Sequence, residues 1–245
     1  MQLGEGDHDV DYFTSKDKVC TGWNVVDSES GILKSEVSVC SALNTIDCLL
    51  CGLDVGNQTF ICMTDLEIKE GVKYVTKVRA ENNAGLTTEL FSDGFVVDST
   101  PPLEGELTYI ESSNPIVKEA AEQFTNSLIA VKWNGFWDKE SGIQAYYVCV
   151  GTLPGKCNSK NITNVMDSTT YTFQDLQLVQ SKTYFVSVVA ENRAGLTGDV
   201  KTSDGIVVDR TGMHTNYYIF NSKIGTMTFS ISCMEGVMLV RGGRP

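Results

Sequence analysis

Histidine is nearly missing from this 245-residue sequence: only His8 and His214 occur, and neither falls in the repeated segments described below. A Ser-His-Asp or Cys-His group would have to borrow an outlying residue, so catalytic residues are not expected. No glycine-rich phosphate loop, Walker sequence, nucleophile elbow or zinc-peptidase motif is present, and no cofactor is expected. Positive charge is scarce as well, with 19 Lys and Arg against 31 Asp and Glu, a net charge of −12 and no basic run. That balance argues against a nucleic-acid backbone or an anionic membrane surface as partner. Long apolar runs are also lacking. The most apolar late stretch, 217–240, is interrupted by Asn221, Lys223, Glu235 and glycines, so no membrane insertion is expected within the chain. The opening residues Met1-Gln2-Leu3-Gly4-Glu5-Gly6-Asp7 have neither a basic start nor an apolar core, and no secretory signal is expected in them.

What the sequence does have is a statement made twice. Asp27-Ser28-Glu29-Ser30-Gly31-Ile32 recurs as Asp138-Lys139-Glu140-Ser141-Gly142-Ile143, each shortly after a Trp-Asn pair, Trp23-Asn24 and Trp133-Asn134. Ala80-Glu81-Asn82-Asn83-Ala84-Gly85-Leu86-Thr87 recurs as Ala190-Glu191-Asn192-Arg193-Ala194-Gly195-Leu196-Thr197, and Ser92-Asp93-Gly94-Phe95-Val96-Val97-Asp98 as Ser203-Asp204-Gly205-Ile206-Val207-Val208-Asp209. The offset stays at 110 or 111 residues, the size of a domain rather than of a solenoid repeat. Each unit is therefore expected to fold on its own core. The expected boundaries are 1–99, 100–212 and a tail or truncated third repeat over 213–245.

Within a unit the apolar residues alternate at period two, which predicts strands and no helix. Ile129, Val131 and Trp133 form one inward row, Tyr146, Val148 and Val150 the next, then Tyr171 and Phe173, Tyr184, Val186, Val188 and Ala190, and Ile206 and Val208. The first unit matches with Val19 and Trp23, Val37 and Val39, Ile61 and Met63, Tyr74, Thr76, Val78 and Ala80, then Phe95 and Val97. About seven short strands per hundred residues, separated by Gly, Asn, Asp and Ser, predict an all-β fold of two tandem sandwiches.

A Trp in the second strand, a Tyr in the third, a Leu ahead of the Tyr-x-Val-x-Val-x-Ala strand and the Asn-x-Ala-Gly turn together resemble fibronectin type III domains. The Asp-x-Glu-Ser-Gly-Ile and Ser-Asp-Gly-x-Val-Val-Asp motifs resemble one subgroup of them, found in extracellular multidomain proteins of invertebrate type. The resemblance implies immunoglobulin-like sandwiches that space or bind without catalysing. It runs over nearly all of the second unit and over the first from about Asp9, with part of the first unit's opening strand lacking.

Several residues are candidates for more than packing. Cys40 with Cys48, and Cys149 with Cys157, each have seven residues between them and fall at corresponding places, where a hairpin could join them. Parity puts Cys20 and Cys62 on the outward face of neighbouring strands, and a bridge there is plausible. Cys51 and Cys233 are left over. Cys48-Leu49-Leu50-Cys51 has neither the strand-to-helix context of a redox pair nor a second ligand pair for zinc. Asp27 with Glu29 and Asp138 with Glu140 are weak calcium candidates, since calcium wants six to eight oxygens, and the plainer reading is a shaped turn. Asn82 and Asn192 read as turn residues. The sequons Asn57-Gln58-Thr59 and Asn161-Ile162-Thr163 are N-glycosylation candidates, expected in the same loop region of each unit.

The sequence thus points to an extracellular structural, adhesion or protein-binding segment with a protein or matrix partner. Two alternatives stand beside it. A cytokine-type receptor fragment would be supported by a Trp-Ser-x-Trp-Ser signature, which is absent; an accessory matrix- or carbohydrate-binding region would want an exposed aromatic platform, and none is evident. At the junction, Asp98-Ser99-Thr100-Pro101-Pro102 carries two prolines that fix φ and remove donors, which favours a stiff hand-over.

Overall fold

The computed structural model describes residues 2–3, 10–110, 122–123, 127–209, 229–234 and 237–242; His8 and His214 lie outside them. Residues 1–208 form one compact unit and 209–245 another. Among the described residues the secondary structure is β throughout, with no helix.

The first half of the larger unit runs β1 (Gln2–Leu3), β2 (Tyr12–Phe13), β3 (Lys18–Gly22), β4 (Ile32–Ser41), β5 (Asn44–Asp54), β6 (Phe60–Thr64), β7 (Lys73–Asn82), β8 (Thr87–Phe91) and β9 (Phe95–Val97). The second runs β10 (Glu106–Tyr109), β11 (Glu122–Gln123), β12 (Ile129–Asn134), β13 (Ile143–Gly151), β14 (Lys160–Asn164), β15 (Thr170–Phe173), β16 (Thr183–Asn192), β17 (Lys201–Thr202) and β18 (Ile206–Val208). Each half pairs a three-stranded sheet, β1-β3-β6 or β10-β12-β15, with a larger one, β2-β9-β7-β4-β5 or β11-β18-β16-β13-β14. β8 and β17 flank β7 and β16. The smaller unit contributes β19 (Phe229–Met234) and β20 (Val237–Gly242), an antiparallel hairpin. The rest of the expected tail over 213–245 lies outside the described residues.

Alternation explains why these segments are strands. In β12, Ile129, Val131 and Trp133 are buried while Lys132 and Asn134 are exposed, so one face of the ribbon meets the opposite sheet. Trp133 meets Tyr146 edge-on with centroids 5.5 Å apart, and Phe136 meets the same ring at 5.5 Å. In the first half the corresponding cluster is Val19, Trp23, Val37, Val39, Tyr74, Phe95 and Val97. Tyr74 and Tyr184 each turn their hydroxyl back on the chain, accepting from the backbone amides of Lys69 (3.2 Å) and Val179 (3.0 Å). That corner is a mark of immunoglobulin-like sandwiches.

Two local features differ from expectation. The sequence places no strand between Val39 and Ile61, yet β5 fills 44–54. It is an edge strand, bulged against β4, and most of its residues are exposed, so burial imposes no alternation for a sequence reader to see. Asn161 likewise lies on an edge strand, β14, rather than in a loop; Asn57 sits in the turn before β6. The polar run Lys160–Asn164 reads as loop because an edge strand with solvent on both faces needs no apolar row.

Candidate functional site

The arrangement that uses most of the repeated polar residues is the joint between the two sandwiches. It is built from one local device that occurs twice. The Asp27 carboxylate accepts from the backbone amides of Ser30 (2.6 Å) and Gly31 (2.9 Å) through Oδ1, closing the loop between β3 and β4. Gly31 closes the turn at φ 75°, a conformation that suits glycine. Asp138 does the same for Ser141 and Gly142, each at 2.9 Å. The second carboxylate oxygen of each aspartate receives the side-chain amide of an asparagine at the end of a long strand, Asn82 at 3.1 Å and Asn192 at 3.0 Å. These asparagines also cap their own turns: Asn82 Oδ1 accepts from Leu86 N and Asn192 Oδ1 from Leu196 N. Hence the two repeated motifs, far apart in sequence, are halves of one contact.

In the second sandwich the contact has a third party. The Asn192 amide also donates to Asp98 Oδ2 (2.8 Å) and to the Thr100 carbonyl (3.0 Å). Thr100 Oγ1 donates to Glu140 Oε2 at 3.2 Å, and Asp98 Oδ1 accepts from Thr100 N at 3.0 Å. The same linker is held from the other side. Asp98 N donates to the Phe13 carbonyl (2.9 Å) and Gly71 N to the Val97 carbonyl (3.0 Å). Ser99 gives its amide and hydroxyl to Glu70, 3.0 and 2.6 Å, while Lys16 lies 2.8 Å from the same carboxylate. Gly71 allows a close approach: a Cβ there would stand 3.3 Å from Glu140 Cγ and 3.6 Å from its Cα. Pro102 is buried, and a Cβ on Gly198 would collide with its carbonyl oxygen.

The electrostatics follow from these bonds. Asp27 is held down to about 2, from 3.8, chiefly by the Asn82 amide and then by the Ser30 and Gly31 amides. Burial alone would raise Asp138, but Asn192, the backbone amides of Ser141 and Gly142 and the Asp98 side chain outweigh it and hold the carboxyl below its ordinary value. Glu70 is lowered too, Lys16 and Ser99 prevailing over its desolvation.

Of the four carboxylates considered for calcium, Asp138 and Glu140 are brought together with Asp98, one oxygen of each lying within 4.8 Å of the others. Asp27 and Glu29 instead close their own turn, Glu29 through its backbone amide at 3.2 Å. In the trio, the oxygens of Asp98 and Asp138 and Oε2 of Glu140 already accept hydrogen bonds, and Oε1 of Glu140 faces Lys139 at 3.9 Å. Calcium needs six to eight oxygens; here the oxygens close the joint. Asp98 is the residue the sequence reading passed over. Its repetition as Asp209 in the Val-Val-Asp motif was the available signal.

The cysteines form Cys20–Cys62, Cys40–Cys48 and Cys149–Cys157, and Cys51 on β5 is a free, exposed thiol that donates to the Cys48 carbonyl at 3.7 Å. Asn57 and Asn161 are both exposed. One exposed indole does exist: Trp137, 55% accessible, bridges backbone to backbone with Leu103. Among the described residues no helix is long and apolar enough to cross a membrane.

No family model matches the sequence. Among solved structures, domains A168–A170 of titin match over 85% of this chain and 66% of that one, with 14% identity and a TM-score of 0.50. The fibronectin(III)-like modules of Clostridium thermocellum CbhA match over 85% and 95%, at 12% identity and a TM-score of 0.45. The FN1–FN3 domains of chicken CNTN1 match over 80% and 64%, at 16% and 0.37. The chain thus spans about two thirds of the contactin and titin chains it matches. The fold is that of immunoglobulin-like sandwiches of the fibronectin type III kind, arranged in tandem.

Proposed function

We propose that this chain is a non-catalytic spacer and protein-binding segment of an extracellular multidomain protein of invertebrate type, with units at 1–99 and 100–212 and a protein or matrix partner. The observation that carries the reading is the linker. Asp98, Ser99 and Thr100 are bonded to the first sandwich through Phe13 and Glu70 and to the second through Asn192 and Glu140. Such a linker transmits orientation instead of acting as a tether, as a spacer requires. Three disulfides support an oxidising compartment, and the exposed sequons fit the same route.

Residual dipolar couplings on the full chain test the joint. Both sandwiches should report one alignment frame, and Asn192→Ala should decouple them while each keeps its own fold. Independent frames in the unaltered protein would refute the spacer reading. Intact mass from a eukaryotic secretory host, with and without glycosidase, tests the placement; two unmodified sequons would count against it.

A further inference from the structure

The two ends of the repeated device are not equally occupied. Around Asn192 the incoming segment Val97–Leu103 leaves an imprint: Asp138, Asn192 and Ser141 are buried, and Trp137 exchanges backbone hydrogen bonds with Leu103, 2.8 and 3.4 Å. In the first sandwich the same surface is formed and open. Asn82 presents the same amide, itself more than nine-tenths buried, where Asn192 has three acceptors; among the described residues it donates to Asp27 Oδ2 alone. Asp27, Glu29 and Ser30 are each more accessible than Asp138, Glu140 and Ser141. Val26, at the place of Trp137, is 80% exposed and lacks a backbone bridge among the described residues.

We propose that this face of the first sandwich, centred on Asn82, Asp27 and Val26, is a docking surface for the extended Val-Asp-x-Thr end of another sandwich of the same kind. The occupant is defined by the one already seen on the second sandwich. An aspartate carboxylate and a carbonyl two residues on accept the asparagine amide, a threonine hydroxyl meets the loop glutamate, and a downstream backbone pairs with the residue preceding the loop aspartate. The three receiving groups recur at Asn82, Glu29 and Val26, and Asp27 holds the Asn82 amide as Asp138 holds that of Asn192. The inference deepens the spacer reading and rests on it: it makes the joint a repeatable connector.

The register supplies the test. Thr108 pairs with Lys132 and Gln2 with Gly22, the residues one place ahead of Trp133 and Trp23, so Gln2 stands where Thr108 does. Placing a copy of residues 97–106 directly ahead of Met1 in the full chain therefore sets the copied aspartate at its natural distance from the surface. We expect the Asn82 side-chain amide resonances to shift and the first sandwich to melt about 4 °C higher, the effect of one or two added hydrogen bonds on a domain of about 100 residues. The same extension with Asp98→Ala in the copy should show neither change, and the unaltered extension on an Asn82→Asp chain, which keeps the turn-capping oxygen and loses the donor, should leave the melting temperature of the first sandwich where it is without the extension. If the intact and altered extensions behave alike, the docking surface is refuted. Dipolar couplings on the same samples keep the two ideas apart, since a stiff joint with an inert extension leaves the spacer reading standing.

Discussion

The two sandwiches share a register and differ in what closes them. Ser35 and Tyr146 lie opposite Ala80 and Ala190; Thr76 and Val186 lie opposite Val39 and Val150; Thr21 and Val131 lie opposite Ile61 and Tyr171. So the first core holds Ser35, Thr76 and Thr21 where the second holds Tyr146, Val186 and Val131. Among the described residues the three hydroxyls have no hydrogen-bond partner, nor does the indole nitrogen of Trp23. In the second core only the Trp133 indole is in that position among the described residues. A buried hydroxyl without a partner costs about 1–3 kcal/mol, and the ring that Trp133 packs against has no counterpart beside Trp23. The first sandwich has instead a third kind of contact, the Cys20–Cys62 bridge, at positions held by Ala130 and Thr172 in the second. Packing closes one unit, and a crosslink supplements the other.

The sharpest way to break that comparison is to remove the crosslink. Closing a loop of 42 residues limits the unfolded chain by about 4 kcal/mol in the chain-entropy account, against about 2.5 kcal/mol for the 8-residue separations of Cys40–Cys48 and Cys149–Cys157. The short bridges act equally in both units and cancel. Cys20→Ala with Cys62→Ala should therefore lower the first sandwich by about 4 kcal/mol and leave the second unchanged. Urea unfolding followed residue by residue resolves the two transitions. A parallel drop in both, or none in the first, would show that the bridge is not what offsets the polar core.

An exchange of one core position comes next in size. Thr76→Val should stabilise the first sandwich by about 1–2 kcal/mol, because the variant removes an unpartnered hydroxyl and keeps the shape. The mirror change Val186→Thr should cost the second sandwich about 1–3 kcal/mol by the same reasoning. If Thr76→Val proves destabilising, the Thr76 hydroxyl has a partner in solution and the contrast between the cores shrinks.

These positions also show where sequence reading succeeds. The inward rows were legible because both sheets bury one face, and burial enforces period two at Ile129, Val131 and Trp133 as at Tyr184, Val186 and Val188. Thr76 fell in an inward row by register alone, although its chemistry argued otherwise. The edge strands β5 and β14 were not legible, since no sheet face constrains them. Nor was the joint. Asp27, Asn82, Asp138 and Asn192 each read correctly as turn-formers, but a turn residue spends one set of atoms locally, Oδ1 in each case, and its remaining oxygen or amide is committed by tertiary contact. Local chemistry cannot say that Asp138 and Asn192 face each other, still less that Asp98 completes them.

The smallest effect tests that spent-and-shared arrangement by pH. Asp27 sits at about 2 against an ordinary 3.8, with the Asn82 amide the leading cause. A carboxylate lowered in the folded state lends stability that is complete above its unfolded value and is lost as pH falls through the folded one. The Asp27 contribution should thus be whole at pH 5, decline from about pH 4 and be gone below about pH 2. The group is half-exposed, so the change in stability is slight and the titration itself is the better readout. Carboxyl carbon shifts should place Asp27 near 2, and Asn82→Ala should move it back toward 3.8. At the joint, Asp138 is lowered against the opposing pull of its burial, so Asn192→Ala removes the leading favourable contact and should raise its midpoint, with the direction reversed past the ordinary value if burial then dominates. An Asp27 midpoint near 4 in the unaltered chain, unmoved by Asn82→Ala, would mean that the aspartate and asparagine of the repeat are neighbours without being partners.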